Sequence, residues 1–480
     1  MSSIKKLAGQ TAVYGLSSIL GRLLNYGLVP LHTAFFLKEE YGSVSVIYGY
    51  VALLMVFLMF GMETTFFRFV VKSEEKEKTF NQAFSIVVII NLIFIVTLLL
   101  FSQTVANYIN FSDHKDYVIW FGFILVFDAV SSLLMAKLRH QDNAKKFATI
   151  QLISIGVNIF LNLIFMFFFL ESNREFGIGF IFIANLAASL IKLVLLYKDL
   201  LQFRFVWDKV LAKTMFIFSL PLLIGSFAGV INETLDRILL DKILTKSNNL
   251  DYARAQVGIY SANYKLSIII TLFIQAFRYA AEPFFFAQEK NKDKDKVYSK
   301  VMTYFVIVVS LIFLGVTLYI DIFKWFINKS YWEGLKVVPI LLLANVFLGI
   351  YYNQSIWYKL ANRTKFGAYI AIGGAILTLS LNFALIPYYG YIGSAWATLI
   401  VYFLMMVASH ILGQKHYPIK YNLRKVITFL ILAIGLFFVD NWVSINNTIL
   451  SYTFKTFLIV LFLGGIMFIE NPLKNLRKAL

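Results

Sequence analysis

Apolar runs long enough to cross a bilayer recur from residue 8 to residue 469. They fall at 8–36, 41–70, 80–107, 117–138, 145–170, 177–198, 214–241, 257–287, 297–320, 336–359, 364–386, 391–412, 423–440 and 449–469. A hydrocarbon core about 30 Å thick needs roughly 20 helical residues. In lipid every backbone polar group must be bonded internally, so only helices and closed barrels span it. Barrel strands are about ten residues long and alternate in polarity, whereas these runs are continuous and roughly twice that length. The expected fold is therefore all-α, a polytopic membrane protein of about 14 transmembrane helices. Composition agrees: 59% of the 480 residues are hydrophobic and only 15% charged, where a soluble chain carries about 25% charge.

On a soluble chain the net charge of +18 would suggest nucleic acid. Here the basic residues sit between the apolar runs, so they are read as orientation signals and no nucleic-acid partner is expected. With the N-terminus inside, the inner loops hold about 28 Lys and Arg, the outer loops roughly 9, and the spans about 7. Dropping one span would reverse every later loop and destroy that asymmetry. The expectation is an even number of spans in a bacterial inner membrane, with both termini cytoplasmic. Lys5 and Lys6 precede a first run too long for a signal peptide, so it is read as the first span. The absence of cysteine excludes disulfides and thiolate metal sites. The five histidines form no metal-like cluster, and there is no phosphate-binding loop with its lysine. No cofactor is expected, and a proton or sodium gradient is the candidate energy source.

The chain echoes itself at an offset of roughly 213–220 residues. Gly42-x-x-Ser45-x-x-Tyr48 is matched by Gly258-x-x-Ser261-x-x-Tyr264. Glu63-Thr-Thr-Phe66-Phe67 is matched by Glu282-Pro-Phe-Phe285-Phe286. Asn143-x-x-Lys146-Phe147 pairs with Asn362-x-x-Lys365-Phe366, Asn162 with Asn382, and Gly177 with Gly390. A unit of six spans keeps both copies facing the same way. Two parallel six-helix lobes, 1–203 and 204–413, are expected, followed by two additional helices in 414–480.

Span 7 carries Pro221 and the run Asn232-Glu233-Thr234-Leu235-Asp236-Arg237-Ile238-Leu239-Leu240. Val257-Gly258-Ile259-Tyr260-Ser261-Ala262 and Gln275-Ala276-Phe277-Arg278 follow it. These residues, with Gly21-Arg22 and the stretch from Tyr41-Gly42 to Phe60-Gly61, resemble the polysaccharide transporter family. That family comprises the oligosaccharide-lipid flippases of the multidrug/oligosaccharidyl-lipid/polysaccharide exporter superfamily. The resemblance implies two six-helix lobes around a central cavity. It also implies alternating access that moves a polyprenyl-pyrophosphate-linked glycan between leaflets, for surface polysaccharides such as lipopolysaccharide. The bilayer and the glycan lipid are then the partners, and a monomer near glycan polymerase and glycosyltransferases is the expected working form.

Ionisable groups within spans usually face a cavity or a partner. Arg22 has no acidic residue one turn away: those positions hold Ser18, Ile19, Asn25 and Tyr26. It is the leading cavity cation, since a guanidinium can grip phosphate oxygens bidentately. The structural alternative is a salt bridge to Asp128. Arg278 can pair with Glu282 four residues on. Arg68 and Glu63 are five apart, which suits a helical pair poorly, and Arg68 can snorkel. Arg237 has Glu233 and Asp241 one turn away, so a structural ion-pair cluster is favoured. Lys265 has no acidic residue one turn away and is a second candidate cavity cation. Lys192 reads as an interfacial lysine. The candidate substrate-binding residues are thus Arg22, Arg68, Arg237, Lys265 and Arg278. Glu63, Asp128, Glu233 and Glu282 are their candidate charge partners or ion-coupling groups. Glu289 to Lys296 reads as a solvated loop near lipid headgroups. Pro30, Pro221 and Gly373-Gly374 are candidate hinges.

Two other functions fit a bundle of this kind. A multidrug antiporter of the same superfamily would favour acidic cavity residues, and Asp128 keeps that reading open. A membrane glycan polymerase or acyltransferase would place its chemistry in a large external loop, but the segments 241–256 and 287–300 read as connectors. O-antigen, capsule and peptidoglycan precursors all remain open as cargo.

Overall fold

The structure is a computed structural model that describes residues 19–289, 291–361 and 363–470. Lys5, Lys6, Ser18, Lys290, Asn362, Lys474, Arg477 and Lys478 lie outside the described residues, as does the start of the first apolar run. Helices occupy every apolar run within the described residues, and no strand occurs among them. Ten of these helices are long and apolar enough to cross a membrane. Gly179–Leu195, with 17 residues, is apolar but shorter. The chain divides into two compact units, Met1–Gly258 and Ile259–Leu480.

In the first unit, helix Lys115–His140 packs against Lys76–Leu100 and Gly179–Leu195, and the latter also packs against Ala144–Ile164. Helix Lys209–Ser247, assigned by the repeat to the second half, packs along Lys38–Met59 in this unit. An aromatic core ties the helix ends together. Phe66 meets Phe80 edge-on at 5.6 Å, Phe80 stacks on Phe84 at 5.5 Å, and Phe84 meets Phe203 at 4.7 Å.

In the second unit, helix Val338–Gln354 packs against Lys365–His416 and Lys294–Leu318. Helices Leu423–Trp442 and Thr448–Glu470 both pack on Lys294–Leu318. Phe285, the repeat counterpart of Phe66, is buried edge-on to Tyr298 at 5.3 Å. Both copies of the Glu-x-x-Phe motif therefore use the phenylalanine as a core anchor.

The helix interruptions differ from the expected hinges. Helix Lys209–Ser247 passes through Pro221, and Lys365–His416 passes through Gly373 and Gly374, without a break there. The breaks come where the backbone enters the left-handed region. Lys38–Met59 and Met62–Val70 are separated by Phe60 at φ 46° and Gly61 at φ 65°. Gly390, at φ 53° and ψ −135°, interrupts the 52-residue helix Lys365–His416 in a region open essentially to glycine alone. Its repeat partner Gly177 also has positive φ, 47°. Pro30 lies in the first turn of Leu28–Phe35, where its missing N–H costs nothing. That helix is held to Ala144–Ile164 by a buried 2.8 Å hydrogen bond between His32 Nε2 and Asn162 Oδ1.

Candidate functional site

Arg22 lies on a helical stretch through residues 19–26, exposed and without an ion pair among the described residues. Asp128, its proposed alternative partner, instead takes Lys192 at 2.9 Å, with both side chains half-buried. Arg68 is exposed, stands 6.0 Å from the Phe218 ring and has no ion pair among the described residues. Its neighbour Glu63 is engaged by Arg139, Nη2 to Oε1 at 2.6 Å. Arg22 and Arg68 are thus the two predicted cations left with an open guanidinium face.

The other predicted cations are committed. Arg278 reaches Glu282 at 3.8 Å and covers the Tyr352 ring at 4.3 Å. Glu282 is shared, because the Lys359 ammonium also donates to it. Lys265 is half-buried and partnered. Arg237 departs from the expected cluster. It pairs with Asp236 at 3.3 Å and donates to the Glu233 backbone carbonyl at 3.0 Å. The Glu233 side chain is exposed. Asp241 turns to another partner, Arg254.

That Asp241–Arg254 pair was not anticipated. The fully buried Asp241 carboxylate lies 3.9 Å from Arg254 Nε, and neither of its oxygens accepts a hydrogen bond. The guanidinium lies 3.9 Å from the Phe111 ring centre, and Nη2 donates to the Asn110 carbonyl at 2.7 Å. Both residues fell in the segment 241–256 read as a connector. Helices in fact run to Ser247 and resume at Leu250, leaving only Asn248 and Asn249 between them. Beside the pair opens a cavity of about 340 Å³, lined by Glu39, Glu40, Asp113, His114, Arg174 and Arg254.

The family comparison decides the class. The polysaccharide biosynthesis protein family matches residues 7–288. The chain belongs to that family. Comparison with curated proteins found no match. Among solved structures, the inward closed conformation of the lipid II flippase MurJ superposes with a TM-score of 0.74 at 13% identity, covering 97% of this chain and 99% of that one. An inward-facing multidrug resistance MATE family transporter of the MOP superfamily follows at TM-score 0.63 and 12% identity, covering 84% and 94%. An outward-facing conformation of a multidrug resistance MATE family transporter of the same superfamily gives 0.61 and 13%, covering 86% and 94%. At such identities the likeness establishes the fold alone, the helical fold that these solved structures share.

Within this polysaccharide-biosynthesis fold the repeat has a structural meaning beyond its motifs. Glu63 binds Arg139 in the first unit, and Glu282 binds Lys359 in the second. Both cations end the second membrane-length helix after their glutamate. Each repeat thus closes one end of its bundle with an equivalent ion pair. Asn162 and Asn382 likewise each donate to the carbonyl one turn back, at 2.8 Å in both cases. Those glutamates and asparagines are held by structural contacts, and of the five predicted substrate-binding cations Arg22 and Arg68 are the two with no ion pair among the described residues.

Proposed function

We propose that this protein is a flippase that carries a polyprenyl-pyrophosphate-linked oligosaccharide across the cytoplasmic membrane for surface polysaccharide assembly. The observation carrying the proposal is Arg22, a cation on an apolar helix with no ion pair among the described residues. A charge in that setting is costly unless it serves a ligand or cavity. A guanidinium grips pyrophosphate oxygens in pairs, and a cationic surface draws in a large anionic headgroup. The polyprenyl tail can stay in lipid throughout. The family's name and the lipid II flippase of the same fold support a lipid-linked glycan as cargo. We include in this reading fourteen spans with both termini cytoplasmic, lobes at 1–203 and 204–413, a monomeric working unit, and a proton or sodium gradient as driving force. Alternating access would follow from differential affinity of cargo for the two open states.

The test is Arg22→Ala with Arg22→Lys beside it, in cells that depend on the protein for glycan export. The alanine variant should be made at normal levels, lose export and accumulate lipid-linked glycan on the inner side. The lysine variant should recover part of the export, because a point charge replaces the bidentate fork. Normal export by Arg22→Ala removes Arg22 from the mechanism.

The antiporter reading is weakened by Asp128. That carboxylate is already neutralised by Lys192 at 2.9 Å, so it offers no free anion to a cationic drug. Drug resistance conferred by expression of the protein would reinstate it.

A further inference from the structure

In the second unit, the first turns of helices Lys294–Leu318 and Leu423–Trp442, the residues just before them and Glu470 line a cleft of about 910 Å³. Five lysines line it: Lys292, Lys296, Lys300, Lys420 and Lys425. Three acids oppose them, and two of those are already taken. Lys296 pairs with Asp293 at 2.9 Å and Lys425 with Glu470 at 2.8 Å. Lys292, Lys300 and Lys420 are exposed and have no ion pair among the described residues, against Asp295 alone.

Lysines near a membrane edge are usually orientation signals and nothing more. Three further observations make this cluster a site. First, it is concave. Second, two helices begin on it, and the positive ends of their dipoles add to the lysine field. Third, its wall changes character in one direction. Tyr304 and Leu423 line the cleft and are exposed. Leu423 starts a ladder at four-residue spacing, with Ile427 and Ile431, all exposed along one face of their helix. A charged floor therefore gives directly onto an apolar track about two turns long.

We infer that this cleft binds the phosphodiester headgroup of an anionic glycerophospholipid, with an acyl chain lying along Leu423, Ile427 and Ile431. The Lys292, Lys300 and Lys420 ammonium groups hold the phosphate as point charges. A soluble phosphate would satisfy the lysines but leave the track unused. A neutral lipid would cover the track but leave three cations without a counter-charge. The cleft shares no residue with the Arg22 locus, and the inference stands whether or not the cargo proposal does.

The test is lipid retention by the purified full-length protein, measured by native mass spectrometry with phosphatidylglycerol and phosphatidylcholine as probes. Wild type should prefer phosphatidylglycerol. A Lys292→Gln/Lys300→Gln/Lys420→Gln variant should lose at least about tenfold of that preference, given the attraction each lysine near an anionic surface contributes. Phosphatidylcholine binding and the unfolding midpoint should stay unchanged, since all three side chains are exposed. The corresponding Arg triple variant should keep the preference. Ile427→Ser/Ile431→Ser should reduce binding of long-chain phosphatidylglycerol more than of its dihexanoyl form. Equal preference in the Gln variant, full displacement of the lipid by millimolar inorganic phosphate, or stronger binding of undecaprenyl phosphate than of phosphatidylglycerol would each overturn the assignment.

Discussion

The two glycines that open the repeat meet at one backbone crossing, and this predicts a specific pattern of destabilisation. A Cβ built on Gly42 would lie 2.7 Å from the Arg254 carbonyl carbon, and closer still to its oxygen. A Cβ on Gly258 would lie 2.9 Å from the Lys38 carbonyl carbon, again with the oxygen closer. The arrangement is reciprocal, because each glycine faces the residue one turn before the other. Ordinary contact begins at 3.4 Å, so Gly42→Ala must part the segments by more than 0.7 Å, the difference between 3.4 and 2.7 Å. The obstructing atoms are backbone, so no rotamer change relieves them. Tyr41, Val44, Ala253 and Val257 around the crossing are buried and would lose contact. A radial gap of about 0.5–1 Å already forfeits a quarter to a half of the dispersion energy. Overpacking of this kind costs about 1–3 kcal/mol. At about 1–2 °C per kcal/mol for a chain or unit of this length, the apparent midpoint of thermal unfolding in detergent should fall by about 1–6 °C for either alanine. Since one separation relieves both clashes, Gly42→Ala/Gly258→Ala should fall little further than either single variant. Gly156→Ala is the control: its Cβ meets nothing within 4 Å, so the midpoint should hold or rise slightly. A midpoint for Gly42→Ala equal to that of Gly156→Ala, or a double variant equal to the sum of the singles, would refute the shared-crossing argument.

Three further outcomes are expected from the charged groups. Asp241→Asn strands the buried Arg254 guanidinium and should cost about 3–5 kcal/mol in unfolding measurements, while adding Arg254→Met should restore most of it. Equal stability of Asp241→Asn and wild type would show that the pair carries no structural load. Glu63→Gln and Glu282→Gln act on ion pairs that are more than a third exposed on the acidic side, so each should cost under about 1 kcal/mol. A larger loss in either, by denaturant titration, would mean that the pair is shielded in the membrane. Asp208 caps helix Lys209–Ser247, accepting from the backbone N–H groups of Leu211 and Val210, with Lys78 at 3.4 Å. The Leu211 N–H bond, ahead of the lysine, holds its carboxyl below the ordinary aspartate range. Its contribution is therefore complete above about pH 4, the unfolded value, and fades as the pH falls through the lower folded value. Asp208→Asn should flatten the acid side of a midpoint-versus-pH curve, and an unchanged curve would assign acid sensitivity to other groups.

The spans were legible because lipid imposes a simple rule on a long segment. Helices appear along each apolar run within the described residues, and ten meet the length and apolarity for crossing. The site was legible only where charge logic is local. Arg278 and Glu282, four apart, do pair. Pairs that close across the bundle could not be read from one helix face. Asp128–Lys192 spans 64 positions and Lys137–Glu77 spans 60, and these set which groups are neutralised. Lys137, Lys146 and Lys359 belong to the basic residues that orient the spans, Lys146 also to the repeat, yet they bind Glu77, Asp199 and Glu282. Arg254 is hidden in the sequence because a charged stretch between two apolar runs looks like a connector, whereas helices run to Ser247 and resume at Leu250.

The repeat was the most informative signal, and it sorted structural from available residues in a way no single motif could. A residue that recurs at one offset and makes the same contact in both units is serving the bundle. Glu63 and Glu282 do so as ion pairs, Phe66 and Phe285 as core anchors, and Gly177 and Gly390 as left-handed turns. A cation that lacks both a repeat counterpart and an ion pair has no such duty to explain its cost in an apolar helix. At the position 219 residues after Arg22 stands Asp241, a buried carboxylate that faces Arg254, so the repeat carries the opposite charge there. Arg22 therefore repeats no cation at that offset and has no ion pair among the described residues, which is the physical reason to test it first as a contact for cargo.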